Sequence, residues 1–215
     1  MSYFEEYGYD VADEVISEET AKLLEISMNM HRDCKYFTNR VSPDQIGYHN
    51  DILVEKCFGD YSILPCEALL EMVIPTVEFI VGKSLYPTYS YARIYYEGAE
   101  MREHKDRPSC EYSATMTISI DETPWDIWIE DLKGDRKSIS LPTGSMMIYQ
   151  GTRCPHWREP YKGKKQIQVF LHYVDVNGKY YNEMYDGRAM LASPPLRMPY
   201  RELSSNMECS IINNQ

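Results

Sequence analysis

Basic residues are scarce in this sequence: 22 Lys and Arg stand against 33 Asp and Glu, a formal net charge of −11 over 215 residues. Binding to a nucleic-acid backbone relies on basic surface that releases counterions, so this balance argues against nucleic acid as a partner while permitting a basic substrate. The six cysteines, at positions 34, 57, 66, 110, 154 and 209, contain no Cys-x-x-Cys pair, which excludes a zinc ribbon and a thioredoxin motif. Free thiols in a reducing compartment are expected instead. No apolar run approaches membrane-spanning length, and the opening MSYFEEYGYDV has neither a basic start nor an apolar stretch. The expectation is a soluble, cytoplasmic protein with no membrane partner. Repeats, low-complexity tracts and linkers are also lacking, so residues 1–215 read as a single domain around one core.

Tyrosine, by contrast, is abundant, with nineteen copies. Such amphipathic rings suit strands and half-wet pockets, where the face packs and the hydroxyl finds a partner. Residues 1–88 read as a helical lead. Ser17 is an N-cap candidate followed by Glu18 and Glu19, with Leu23, Leu24, Ile26, Met28 and Met30 as apolar surface. A second helix is expected from Pro65 to a stop at Gly82, kinked or divided by Pro75.

From about Tyr89 the period changes to two. Eight short strands are expected, at 89–97, entering His104, at 112–121, 125–130, 136–141, 145–150, at His156, and at 165–174. The third is the clearest: Ala114, Met116, Ile118 and Ile120 alternate with Ser113, Thr115, Thr117 and Ser119, as one buried and one wetter face require. The fold class that follows is mainly β with N-terminal helices, a jelly roll or barrel over 89–175, with 176–215 as a C-terminal extension.

His104 and Asp106 stand two apart, so in a strand both would face the same way and could reach one ion. By composition, a chance His-x-acid pair is expected roughly 0.8 times in such a chain, so the pair alone decides little. Two His and one carboxylate form a facial set that leaves three metal positions open. His156 follows strand 145–150 and supplies the second His, whereas His172 lies in a continuous apolar run, and His31 and His49 precede the β region; these three are read as structural.

The stretch from Tyr95 through Gly98 and Met101 to His104 and Asp106 resembles the Y-x-x-G-x-x-Y-x-x-H-x-D signature of prolyl 4-hydroxylase-like oxygenases, with Met101 in place of the second Tyr. Leu141 to Tyr149 resembles the family's Gly turn and apolar strand, and His156, Pro160, Gly163 and Lys165 its distal His-x-x-x-Pro and Gly-x-basic pattern. The resemblance covers roughly residues 89–175. It implies a double-stranded β-helix binding Fe(II) through His104, Asp106 and His156, with 2-oxoglutarate as cosubstrate and O2 as oxidant. It further implies hydroxylation of an unactivated C–H bond of a small-molecule or peptidyl substrate, with release of succinate and CO2. Asp106 favours hydroxylation over halogenation, because related halogenases resemble this fold but carry a small residue at that position.

A cation must hold the C5 carboxylate of 2-oxoglutarate. Lys165 is the first candidate, with Lys164 adjacent and Arg93 or Arg158 able to serve in its place, since Arg offers a bidentate fork. By the same resemblance Tyr95 and Thr115 would add hydroxyl hydrogen bonds. Arg107, Ser109, Glu111 and Ser113 follow the first ligands, and Trp125, Trp128 and Trp157 are available to the pocket or the core. Two other readings keep the fold: a cupin-type metal enzyme that binds its substrate directly without 2-oxoglutarate, and a non-catalytic jelly-roll binding module.

Overall fold

The computed structural model describes residues 2–39 and 54–193; His49 and Cys209 lie outside them. Within those residues the eight expected strands are all present: β3 (Leu85–Tyr96), β4 (Met101–His104), β5 (Tyr112–Ile120), β6 (Ile127–Glu130), β7 (Arg136–Ile139), β8 (Met146–Tyr149), β9 (His156–Arg158) and β10 (Lys165–Asp175). The lead is less purely helical than its composition suggests. Between the helices α1 (Tyr3–Tyr7), α2 (Glu18–Asn39), α3 (Leu64–Met72) and α4 (Ile74–Val81) it contributes two strands, β1 (Tyr9–Ala12) and β2 (Cys57–Tyr61). β1 is too short for its Tyr9-Asp10-Val11 alternation to register, and β2 shows no alternation, so periodicity could not reveal them.

The strands form a six-stranded sheet in the order β1-β8-β5-β10-β3-β2 and a four-stranded sheet in the order β4-β9-β6-β7, every pairing antiparallel. This is a double-stranded β-helix with extra strands closing the larger sheet. Local chemistry explains the helix ends. Ser17 Oγ accepts from Thr20 N at the start of α2. Pro65 and Pro75 sit in the first turns of α3 and α4, where no N–H is needed, and Gly82 ends α4 with a left-handed φ of 72°.

Two apolar cores result. One lies between the helices and the outer face of the large sheet, where Leu24, Met28, Leu69, Leu70 and Val77 meet Ala92, Ile94, Met116, Ile118 and Val169. The other lies between the sheets and contains Tyr95, Met101, Trp125, Ile127, Ile129, Tyr149 and Phe170. Each fully buried aliphatic side chain contributes about 1.5–3 kcal/mol.

β5 departs from the expected alternation in an informative way. Ala114, Met116 and Ile118 face the helices, but Ser113, Thr115 and Thr117, on the other face, are also fully buried, and past a register shift the alternation reverses, with Ser119 bonded to Glu25 of α2 and Ile120 packed between the sheets. Here the polar face belongs to the barrel interior. β10 behaves alike: Ile167, Val169 and Leu171 join the outer core, while Gln166, Gln168 and His172, buried too, alternate with them. A closed barrel lined by hydroxyls, amides and imidazole needs polar partners, and these strands carry them to one place.

Candidate metal centre

The three residues singled out as ligands come together at one end of the barrel. His104 and His156 are directly opposed in the β4–β9 ladder, with ring centroids 4.3 Å apart. Asp106 lies just past the end of β4, where its N–H donates to Gly151 O at 2.9 Å. Its Oδ1 is 3.7 Å from His104 Nε2 and 3.6 Å from His156 Nε2. Neighbouring ligands of an octahedral ion, each about 2.1 Å from it, stand about 3 Å apart, so a small inward movement seats a divalent ion among these atoms.

The hydrogen bonds behind the ligands fix the tautomers. His104 Nδ1 donates to Arg102 O at 2.8 Å and His156 Nδ1 to Cys154 O at 3.1 Å, which leaves both Nε2 lone pairs facing Asp106. Burial holds the His156 imidazole below its usual pKa, against the pull of Asp106. For Asp106 burial favours the acid form, yet the surrounding imidazoles of His156, His172 and His104 and the Ser113 hydroxyl keep its carboxyl below the usual range. Two imidazole Nε2 atoms beside a carboxylate are the donor set a divalent metal requires. Tyr149 completes the inner wall, its hydroxyl 3.4 Å from His156 Nε2.

Asp106 also stands within 4.8 Å of Cys110 and His172. This second grouping is chemically poorer: burial drives the Cys110 thiol well above its usual pKa, and its sulfur is 3.1 Å from the Tyr89 hydroxyl.

Farther in, the candidate cosubstrate residues separate into two groups. Lys165 is half-buried, its ammonium 3.5 Å from Glu25 of α2, so it serves the outer face of the large sheet. Arg158 is 1% exposed and two residues beyond His156 on the same strand, so both point the same way. Its Nη1 donates to Trp125 O and its guanidinium lies 4.7 Å over the Trp125 ring, but Nε and Nη2 have no hydrogen-bond partner among the described residues. Burial depresses its pKa to about 10, which still leaves it protonated at neutral pH. Thr117 Oγ1 and Gln166 Oε1 are likewise buried without partners among the described residues. Unmet polar groups of this kind each cost about 1–3 kcal/mol, a cost that an anionic ligand bonded to Arg158 would offset.

Arg93, also buried, lies between the rings of Tyr91 and Phe170 and donates to Tyr95 OH at 3.3 Å. Thr115 Oγ1 accepts from Gln168 Nε2 at 3.1 Å, and Tyr95 packs edge-on against Trp125. Trp128 and Trp157 instead stack on each other, with Arg136 over the latter. Arg107 forms a bidentate pair with Asp186, at 2.6 and 2.8 Å, so the segment Tyr181–Gly187 is latched beside the metal loop.

No model of a protein family matches the sequence. No curated protein matches it either. Solved structures do match in fold. A prolyl-4-hydroxylase from Pseudomonas putida superposes with a TM-score of 0.58 at 10% identity, over 80% of this chain and 95% of that one. AviO1 from Streptomyces viridochromogenes gives 0.61 at 15% identity, covering 81% and 93%. HygX from Streptomyces hygroscopicus, solved with nickel and 2-oxoglutarate bound, gives 0.58 at 10% identity, covering 81% and 85%. At these identities the likeness establishes the architecture: the chain has the double-stranded β-helix fold shared by these proteins.

Proposed function

We propose that this protein is an Fe(II)- and 2-oxoglutarate-dependent oxygenase, with His104, Asp106 and His156 as metal ligands and Arg158 as the anchor of the cosubstrate's C5 carboxylate. The observation that carries this reading is the Arg158 guanidinium, buried in the barrel on the strand face of the distal histidine, with Nε and Nη2 unpaired among the described residues. A metal enzyme or binding module whose ligand carries no anionic group gives such a cation nothing to do, whereas the C5 carboxylate of 2-oxoglutarate meets it. Bound 2-oxoglutarates in HygX, which has the same fold, are in keeping with it.

Bound iron(II) would activate O2, the oxidant, with 2-oxoglutarate supplying two electrons as it is cleaved to succinate and CO2, so that one oxygen atom would go into succinate and the other into an unactivated C–H bond of the substrate. The chain's own residues bind and orient. His104 and His156 present Nε2 because backbone carbonyls hold their Nδ1 protons, and Asp106 presents Oδ1. Arg158 holds the far carboxylate, with Arg93 and Tyr95 beside it and the Thr115–Gln168 pair on the opposing strands. The packed aromatic interior keeps water from the reacting centre. The substrate is a small molecule or a peptide, and the compartment the cytoplasm.

Aerobic incubation of the protein with Fe(II) and 2-oxoglutarate should yield succinate even without a substrate, and His156→Ala should abolish it. Absence of succinate from the wild type, with iron bound, would exclude this reading.

A further inference from the structure

The free oxygen of Asp106 has its own restraint, built from two residues that the sequence pattern leaves without a role. Oδ1 faces the two histidine Nε2 atoms, while Oδ2 turns to the Ser113 hydroxyl at 3.0 Å. Ser113 Oγ also lies 2.9 Å from His172 Nδ1 and 3.3 Å from Cys110 O. The hydroxyl has a single proton to give. If His172 accepted it, the ionised Oδ2 would lose its donor; with Nδ1 protonated, His172 donates to Ser113 and Ser113 donates to the carboxylate, its nearer and charged acceptor, in preference to Cys110 O, so imidazole, hydroxyl and carboxylate are all paired.

The fold supports this directional chain. His172 and Ser113 are paired across the β10–β5 ladder, which places both side chains on one face. On the other side of β10 the register against β3 shifts at this residue, Leu171 facing Ser90 and Tyr173 facing Pro87. Such irregularities re-aim a side chain beside an active site. The Tyr89 ring packs 4.5 Å from the imidazole and the residue is 5% exposed. Gly151 closes the remaining side: a Cβ there would stand 2.4 Å from Asp106 Oδ2 and 2.8 Å from Ser113 Oγ.

We infer that Ser113 and His172 are positioning residues that hold Asp106 as a one-oxygen ligand. A carboxylate free to swing could offer both oxygens and take one of the three coordination positions that the facial set leaves for cosubstrate and oxygen. The hydrogen bond to Oδ2 opposes that swing. This inference rests on the reading of His104, Asp106 and His156 as a metal site.

The test is anaerobic titration with Co(II) alone, reading the dissociation constant and the visible d–d spectrum. Wild-type protein should bind one equivalent. Ser113→Ala, which removes a single oxygen atom, should weaken binding about 10–100-fold and change the spectrum as the carboxylate geometry changes. His172→Leu should do the same, whereas His172→Asn, whose amide N–H can donate from the place of Nδ1, should return both readouts close to wild type. Unchanged affinity and spectrum in Ser113→Ala would overturn the inference while leaving the metal site intact, as would a His172→Asn no better than His172→Leu. Failure of the wild type to bind Co(II) would instead overturn the metal site itself.

Discussion

Arg158 is costly to the folded chain, and its cost is the argument for a ligand. A guanidinium whose Nε and Nη2 are buried without partners among the described residues lowers stability unless something anionic meets it. Arg158→Met should therefore raise the thermal stability of the ligand-free protein, by about 1–3 kcal/mol, while greatly increasing the 2-oxoglutarate concentration needed for succinate formation. Lys165→Ala, which breaks only a half-exposed contact with Glu25, should leave that requirement nearly unchanged. Calorimetry and initial rates on the two variants measure both effects. A raised requirement in Lys165→Ala with none in Arg158→Met would return the anchor to Lys165.

The grouping of His104, Asp106 and His156 was legible because their spacing and turn context are local properties. Which cation enters the barrel was not. Lys165 and Gln166 are adjacent, and in a strand one position decides whether a side chain enters the barrel or faces the helices. No count from a turn fixes that parity; it depends on the register of β10 against β3 and β5. His172 was obscured similarly, since its neighbours Leu171 and Tyr173 are apolar because they pack outward, which says nothing of the face His172 itself occupies.

Among the elements, β5 shows how an alternating pattern can mislead about water while being right about the strand. Its Ser and Thr face is polar because it meets a polar interior. The Tyr181–Gly187 segment had no periodic signal at all, yet it is firmly held. Arg188, just after it, is buried and donates to Glu67, Thr88 O, Tyr185 O and Ser62, and Glu67 in turn accepts from Ser90 and Ala192. The Arg188–Glu67 pair is essentially fully buried. Removing one partner leaves an uncompensated charge, so Arg188→Ala should cost about 3–5 kcal/mol in chemical denaturation. Joint replacement, Glu67→Gln with Arg188→Met, should recover part of that loss. A loss below about 1 kcal/mol in the single variant would show that this latch is not an energetic anchor.

For the molecule as a whole, the division of labour is between two cores. The helices and the outer face of the large sheet form an apolar body, and the space between the sheets holds the cluster of His104, Asp106 and His156 at one end, with Arg93 and Arg158 also buried. Among the described residues no helix is long and apolar enough to cross a membrane. The architecture is common to enzymes with different substrates, so chemistry at this centre is argued from its residues and the substrate from the residues around it. The central claim is that three side chains and one buried arginine together bind iron and 2-oxoglutarate. It is tested most directly by adding Fe(II) and then 2-oxoglutarate without oxygen and recording the visible spectrum: a weak metal-to-ligand charge-transfer band should appear on the second addition and be absent from His104→Ala. A wild-type protein that binds iron but develops no such band would contradict the account.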